Sequence, residues 1–583
     1  MKKIYHSIKV VCLSFLTLAA SSCLDLDPKA DMGDNLVWNS ADNFQLFANQ
    51  FYSWTRDFQL STTATYGNGV SDGPHSDYRS DLVAAASVNT YSQGTNTITS
   101  SDANYTNLYK RIYYTNLLLE HSESFSDQTA IAVPVGEAKF FRAYLHFELV
   151  QIWGDAVLLT EPLDIDSEQL TSAQNDRGEV IDQIIIDLQE AAELLPETAS
   201  EEGRLTKYAA LAMLSRVALY EGTWQKFHTN GASTTNNTTR STSLLTIAKE
   251  AADEVISGGM YSLFYNSTLA TESYRYMFIL EDAAQCNPAN LYKSDNTEYI
   301  LAHRHRDGDR MGVNLTHGML ANACYMTRKL ANMYLCSDGL PIEVSTNFGG
   351  YSGANTEYQN RDNRMTTTLI QQGANYWNND GAWRTTWTDA DLANCFTMDV
   401  RANSGYQNHK WAVERQVTDY YESMDYPVIR YAEVLLNYAE ATYELNGSIT
   451  DTELDYSLNL VRQRINPDMP KLSNSLVSTY SLSMREEIRR ERTVELILEG
   501  FRIDDLKRWA TAETEMPEDQ LGVMVTGTWF EANWSAQARQ LNDDGCIILY
   551  DGRTWEDKNY LYPLPSDQLQ LNPQLVQNPG WGN

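Results

Sequence analysis

The stretch EAKFFRAYLHFELVQIW, residues 137–153, decides the architecture. Phe140, Ala143, Tyr144, Phe147 and Val150 recur at three- and four-residue spacing and form one helical stripe, while Phe141, Leu145, Leu149 and Ile152 form a second. A helix apolar on two sides is sandwiched between neighbours, so this segment predicts a layered helical scaffold. The pattern continues in both directions. SADNFQLFANQFYSW, residues 40–54, opens on a cap-like Ser-x-x-Asn and sets Phe44, Phe47, Ala48 and Phe51 on one face. Further helices are expected over 180–195, 206–220, 244–256, 428–444, 457–465 and 485–498. Ala209, Ala210, Ala212 and Ser215, then Ala248, Ala251 and Ala252, then Ala432, Ala439 and Ala441, give these helices small faces. Small faces allow close approach, the packing logic of helix-pair repeats about 34 residues long.

The first residues carry a different message. In MKKIYHSIKVVCLSFLTLAASSCLDLDP, residues 1–28, three lysines precede an apolar run of about half the ~20 residues needed to cross a bilayer, and small residues then lead into Cys23. This reads as an export signal over 1–22, with lipid attachment at Cys23; a plain signal peptide with an incidental cysteine is the alternative. Loss of Lys2, Lys3 and Lys9 with the signal takes the net charge from −33 to −36, which disfavours nucleic acid and bare anionic membrane as partners. A 43% apolar content is enough for a substantial core. The 35 tyrosines and 13 tryptophans suit sugar binding and helix packing equally. Cys286, Cys324, Cys336, Cys395 and Cys546 form no CxxC pair, so their spacing specifies neither a zinc site nor a full disulfide framework.

Five blocks carry a resemblance over nearly the whole chain. EAKFFRAYLHFELVQIWGDAVLLTEPL (137–163), LTKYAALAMLSRVALYEGTW (205–224), YPVIRYAEVLLNYAEA (426–441), RRERTVELILEGFRIDDLKRW (489–509) and YLYPLPSDQLQLNPQLVQNPGW (560–581) resemble, in order, the signatures of the SusD/RagB family. The resemblance implies a mainly α fold, a tetratricopeptide-like helix-pair scaffold with long irregular loop insertions. It also implies an outer-membrane lipoprotein of the Bacteroidetes that captures nutrients, mostly oligosaccharides, above a SusC-type TonB-dependent transporter. Asp25 and Asp27 just after Cys23 are similar to the surface-export signals of such lipoproteins. Tyr105 stands where the family often has a tryptophan. The expected organisation is a signal over 1–22, a helical region over 23–261, a loop-rich variable lobe over 262–424 and a C-terminal signature region over 425–583.

Within the signatures, acids and bases of 489–508 alternate at helical spacing, with Arg492 in reach of Glu495 and Glu499 of Arg502, as pairs on an exposed helix face. Trp153-Gly154-Asp155 reads as a helix end with Gly154 as left-handed cap, and Asn578-Pro579-Gly580 as a closing turn. Ligand binding is expected where helical periodicity stops. The densest aromatic stretch, GANYWNNDGAWRTTW, holds Tyr376, Trp377, Trp383 and Trp387 among amides, acids and Arg384. Flat rings stack on the C–H face of a pyranose while polar groups bond its hydroxyls; packing of the loop's own small core is the competing reading. The insertion over 66–96 adds Asp72, Asp77, Arg79 and Tyr91, chosen by chemistry and by analogy to where the family binds. His303 and His305, with Asp307 and Asp309 behind, lack a convincing metal spacing. HExxH and phosphate-cradling glycine loops do not occur. No catalytic residue, metal or cofactor is expected. A surface glycoside hydrolase and a binder of a non-sugar nutrient such as peptide remain the alternatives.

Overall fold

A computed structural model describes residues 37–58, 64–65, 69–70, 73–85, 87–231, 233–283, 287–306, 315, 324–371, 376–377, 383–384, 404–413, 421–534 and 540–582. Its main helices are α1 (Ala41–Ala48), α2 (Ala103–Ser124), α3 (Ala132–Trp153), α4 (Arg177–Leu194), α5 (Lys207–Phe227), α6 (Thr238–Gly258), α7 (Tyr431–Asn446), α8 (Met484–Leu496) and α9 (Arg502–Arg508). Capping side chains fix several starts: Ser40, Asp102, Asp176, Thr206, Asn237 and Ser483 each accept a backbone N–H from the first turn. Gly259 and Gly447 close α6 and α7 in the left-handed conformation.

Cross-contacts establish the helix-pair arrangement. Tyr105 of α2 meets Trp153 at the far end of α3, edge-on at 5.1 Å, and Asn116 accepts from Arg142 at 3.1 Å. Arg142 in turn pairs with Asp187 of α4 at 2.6 Å. The start of α4 reaches the end of α5 through Arg177 and Glu221 (2.7 Å), and the start of α5 reaches the end of α6 where Tyr208 lies against Gly258. Successive helices from α2 to α6 therefore run antiparallel. Both stripes of α3 are buried, as its two-sided pattern requires. The mainly α expectation holds, and the strands among the described residues form short two-stranded sheets.

Two boundaries differ from the sequence reading. Residues 426–430 are a strand, not the start of a helix: Tyr426–Arg430 pairs antiparallel with Tyr299–His303, and α7 begins at Tyr431. The strand is buried throughout, and an apolar run that short does not reveal its period. In the first helical segment, α1 stops at Ala48 and Asn49–Trp54 continues as a tighter 3₁₀ turn. Gly154 also departs from a left-handed cap: its φ is +80° with ψ −108°. A Cβ there would lie 2.8 Å from Leu561 Cδ1. Asn578 clasps this end by donating to the carbonyl oxygens of Trp153 (2.9 Å) and Tyr562 (2.6 Å), so two signature blocks distant in sequence form one structure.

The charged residues of 489–508 are not on an exposed face. All but the half-buried Arg490 are buried, and apart from Arg489 and Arg490, which pair with Glu486 and Glu487 of their own helix, most reach other elements. Glu495 accepts from Arg430 (2.7 Å), Arg364 (2.9 Å) and Arg464. Glu499 accepts from Lys410 and Arg430, both at 2.7 Å, and Glu298 joins Arg430 (2.7 Å) to Arg464 (2.6 Å). Arg492 reaches Asp505 (2.9 Å), which Arg508 bridges to Glu440 (2.5 Å), while Arg502 reaches Asp81 (2.8 Å). Burial alone raises a carboxyl, but Arg464, Arg430 and Arg364 outweigh it and hold Glu495 at about 2; Arg508 likewise holds Glu440 at about 2.

Removing one partner from such a lattice leaves buried charge unpaired. Glu495→Ala is expected to cost about 3–5 kcal/mol in denaturant unfolding, against less than about 0.5 kcal/mol for Glu193→Ala on the exposed side of α4. The folded values of Glu495 and Glu440 lie below the ~4.3 of an unfolded glutamate, so the unfolded chain takes up more protons as pH falls. Their contribution is complete above about pH 5 and disappears toward pH 2, which unfolding free energies measured across that range will register.

Candidate ligand-binding face

The segment over 73–91 is held from beneath. Ser76 caps a 3₁₀ turn, Asp77–Arg79, and Asp77 is 1% exposed, with Oδ2 accepting the Gly500 N–H at 3.4 Å. Burial pushes its carboxyl up to about 7, against backbone N–H groups and Lys410 that pull it down. Tyr91 is 3% exposed; its hydroxyl donates to the Asn559 carbonyl at 2.8 Å and its ring meets Trp555 edge-on. Arg79 lies higher, half-buried, with its guanidinium 5.3 Å from the Tyr91 ring centre and 5.1 Å from that of Tyr562. Asp77 and Tyr91 thus face the protein interior, Arg79 sits at the boundary, and Asp72 lies outside the described residues. Gly69-Val70-Ser71-Asp72-Gly73 has nucleophile-elbow spacing, which requires a strand-to-helix turn. Gly69–Val70 is a short strand, but 73–76 leads only into the three-residue 3₁₀ turn.

The aromatic stretch contains a hairpin. Tyr376–Trp377 pairs antiparallel with Trp383–Arg384, placing Trp377 opposite Trp383 and Tyr376 opposite Arg384. Directly opposed residues are cross-strand neighbours, their Cα atoms about 4.5–5.5 Å apart. Trp387 lies outside the described residues. The two histidines serve the scaffold: His303 Nδ1 is 2.8 Å from Thr55 Oγ1, and burial, with His303 and Lys293 nearby, lowers His305 to about 3. Among the described residues no three His, Cys, Asp or Glu side chains converge as a metal site would require, and Cys324, Cys336 and Cys546 are buried free thiols. Asp307 and Asp309 fall outside.

Packing among the described residues creates hollows that no linear pattern announces. A groove of about 790 Å³ runs between α4 and α6 over α5, with Leu211 and Leu214 at its floor. A cleft of about 320 Å³ lies beside it, between the connector over 197–206 and the strand Tyr299–His303.

The helix-pair order and these clasped signature blocks have counterparts among known proteins. The description "SusD family" matches residues 284–581, and "Starch-binding associating with outer membrane" matches residues 24–219. The chain belongs to the SusD/RagB family. A SusD-like protein of Bacteroides ovatus is 21% identical over 527 residues, 87% of this chain and 83% of that one. A SusD-like protein P25 of Formosa agariphila is 26% identical over 243 residues, 38% of this chain and 44% of the relative, so that match spans less than half the relative's length. Among solved structures, a SusD-like carbohydrate binding protein of Bacteroides fragilis superimposes with a TM-score of 0.71 at 21% identity, covering 93% of this chain and 100% of that one. A second SusD-like protein of that organism gives 0.69 at 23% identity, covering 95% and 99%. These likenesses establish the SusD fold.

Within this SusD-family chain the buried carboxyl of Asp77 gives a direct check. Aspartate ¹³C titration is expected to show one group changing near pH 7, and Asp77→Asn is expected to abolish that signal. An Asp77 that titrates with surface aspartates below pH 5 contradicts the buried turn.

Proposed function

We propose that this chain is a non-catalytic, lipid-anchored protein of the outer-membrane surface that captures oligosaccharides and hands them to a SusC-type TonB-dependent transporter. The observation carrying this reading is the SusD-family match over more than half of the chain, joined to a second family description that speaks of starch binding and the outer membrane. The export signal and Cys23 supply the anchor. Helices whose charges are already paired internally supply a rigid support, and loops on such a support are where recognition sits. The binding face is assigned to Tyr376, Trp377, Trp383 and Trp387 with Arg79 and Asp72, while Asp77 and Tyr91 brace the turn that carries Arg79. The register supports this, since it makes Trp377 and Trp383 neighbours and sets Arg384 beside Tyr376. Sugar recognition combines such flat rings with planar polar groups. Tethering near a transporter raises the local ligand concentration without any chemical step.

Affinity electrophoresis against a polysaccharide panel tests the reading. The mature chain is expected to be retarded by at least one glycan, and the double variant Trp377→Ala/Trp383→Ala to lose about tenfold in affinity, equivalent to ~1.4 kcal/mol. Retardation by none, together with binding of peptides, supports the non-sugar alternative. Pull-down from outer membranes is expected to recover a TonB-dependent receptor; consistent recovery without one contradicts the delivery step.

A further inference from the structure

We propose that the cleft beneath the 197–206 connector is a separate subsite for one or two rings of a neutral saccharide, a proposal that rests on the glycan-capture reading above. Its ~320 Å³ lies at the lower end of the range for small-molecule sites. It lies beside the helix pairs, formed from segments other than the 376–384 hairpin.

The chemistry of its walls is specific. Tyr261 is half-buried, its ring held edge-on by Tyr208 at 6.4 Å and its hydroxyl 3.3 Å from Thr206 Oγ1, so a flat apolar surface is fixed in place. Arg304 also lines the cleft, held by Glu202 and Asp425 at 2.9 Å each. Asp425 also binds Lys293 at 3.1 Å. Guanidinium and carboxylate groups fixed by one another keep further donors and acceptors for hydroxyls. Gly203, at φ +88°, lets the connector lie close over Arg304: a Cβ there would come within 3.3 Å of Arg304 Cγ.

Charge selects the ligand class. Arg204, Arg304 and Lys293 each sit on a carboxylate, so no cation among the cleft's described residues is left unpaired for a sulfate, phosphate or uronate. The lining is near balance on a chain of net charge −33, which suits an uncharged ligand. The Glu202–Arg304 bridge is partly exposed, 58% and 36% for the two side chains, and bridges of that kind are weak enough to open and re-form over an entering ring.

Hydrogen exchange of the mature chain with maltose, cellobiose and xylobiose, alongside calorimetry with starch, cellulose oligomers and xylan, tests the cleft. At least one disaccharide is expected to slow exchange in both 198–206 and 293–304. That protection should survive Trp383→Ala and need about tenfold more sugar in Tyr261→Ala, with Glu202→Gln as a second, exposed variant that leaves the core untouched. Glycan binding by the wild-type chain without protection of these segments, or protection indifferent to both cleft variants, overturns the cleft and leaves the capture reading standing. Absence of binding to every disaccharide and polysaccharide overturns both.

Discussion

The Glu495 carboxylate, fully buried and shared by Arg364, Arg430 and Arg464, is the constraint on which the remaining structure depends. Three guanidinium groups in one site repel each other and have left water, a state tolerated only when every acid arrives in place. Glu298, Glu491 and Glu499 join it from points of the chain distant from the arginines they meet, and Asp362 holds Arg364 from two residues away. The lattice therefore ties α8 to the strand before α7, to the turn at 362–364 and to the strand over 299–303. Replacing it with apolar side chains of equal volume need not lower stability. Because its partners come from separate segments, forming it constrains how α8 meets the chain around 298, 364 and 430.

That arrangement divides labour within the molecule. Helices α2 to α6 pack antiparallel through small and aromatic side chains, with ion pairs such as Arg142–Asp187 and Arg177–Glu221 sealed between them. Charges used this way cannot engage a ligand. In the proposed capture role, recognition falls to the connectors: the backbone register sets Trp377 opposite Trp383 and Tyr376 opposite Arg384, and Tyr261 lines the same cleft as Glu202 and Arg304. A binder of food molecules benefits from such inert support, since a pre-formed site loses less entropy on binding.

The scaffold was legible because α3 advertises two apolar stripes and because the five signature blocks stand in order. Other features were hidden for identifiable reasons. The alternation in 489–508 has the spacing of exposed helical pairs, yet Arg492 reaches Asp505 and Glu499 reaches Lys410, partners whose proximity only the fold creates. Tyr426–Arg430 looks helical because its strand partner, Tyr299–His303, lies over a hundred residues away. Asp77 and Tyr91 have the chemistry expected of ligand contacts in a polar insertion, but Gly500 and Asn559, distant in sequence, bond them from within the fold. The groove and the cleft have no sequence signal at all, being spaces between packed elements.

The central claim is that a rigid helical support holds sugars without changing them. Equilibrium dialysis of the mature protein against defined oligosaccharides, with mass spectrometry of the ligand recovered after prolonged incubation, tests it most directly. The account predicts saturable retention and recovery of the ligand at its original mass. Shortened oligosaccharides in the recovered pool, or no retention of any saccharide, would contradict it.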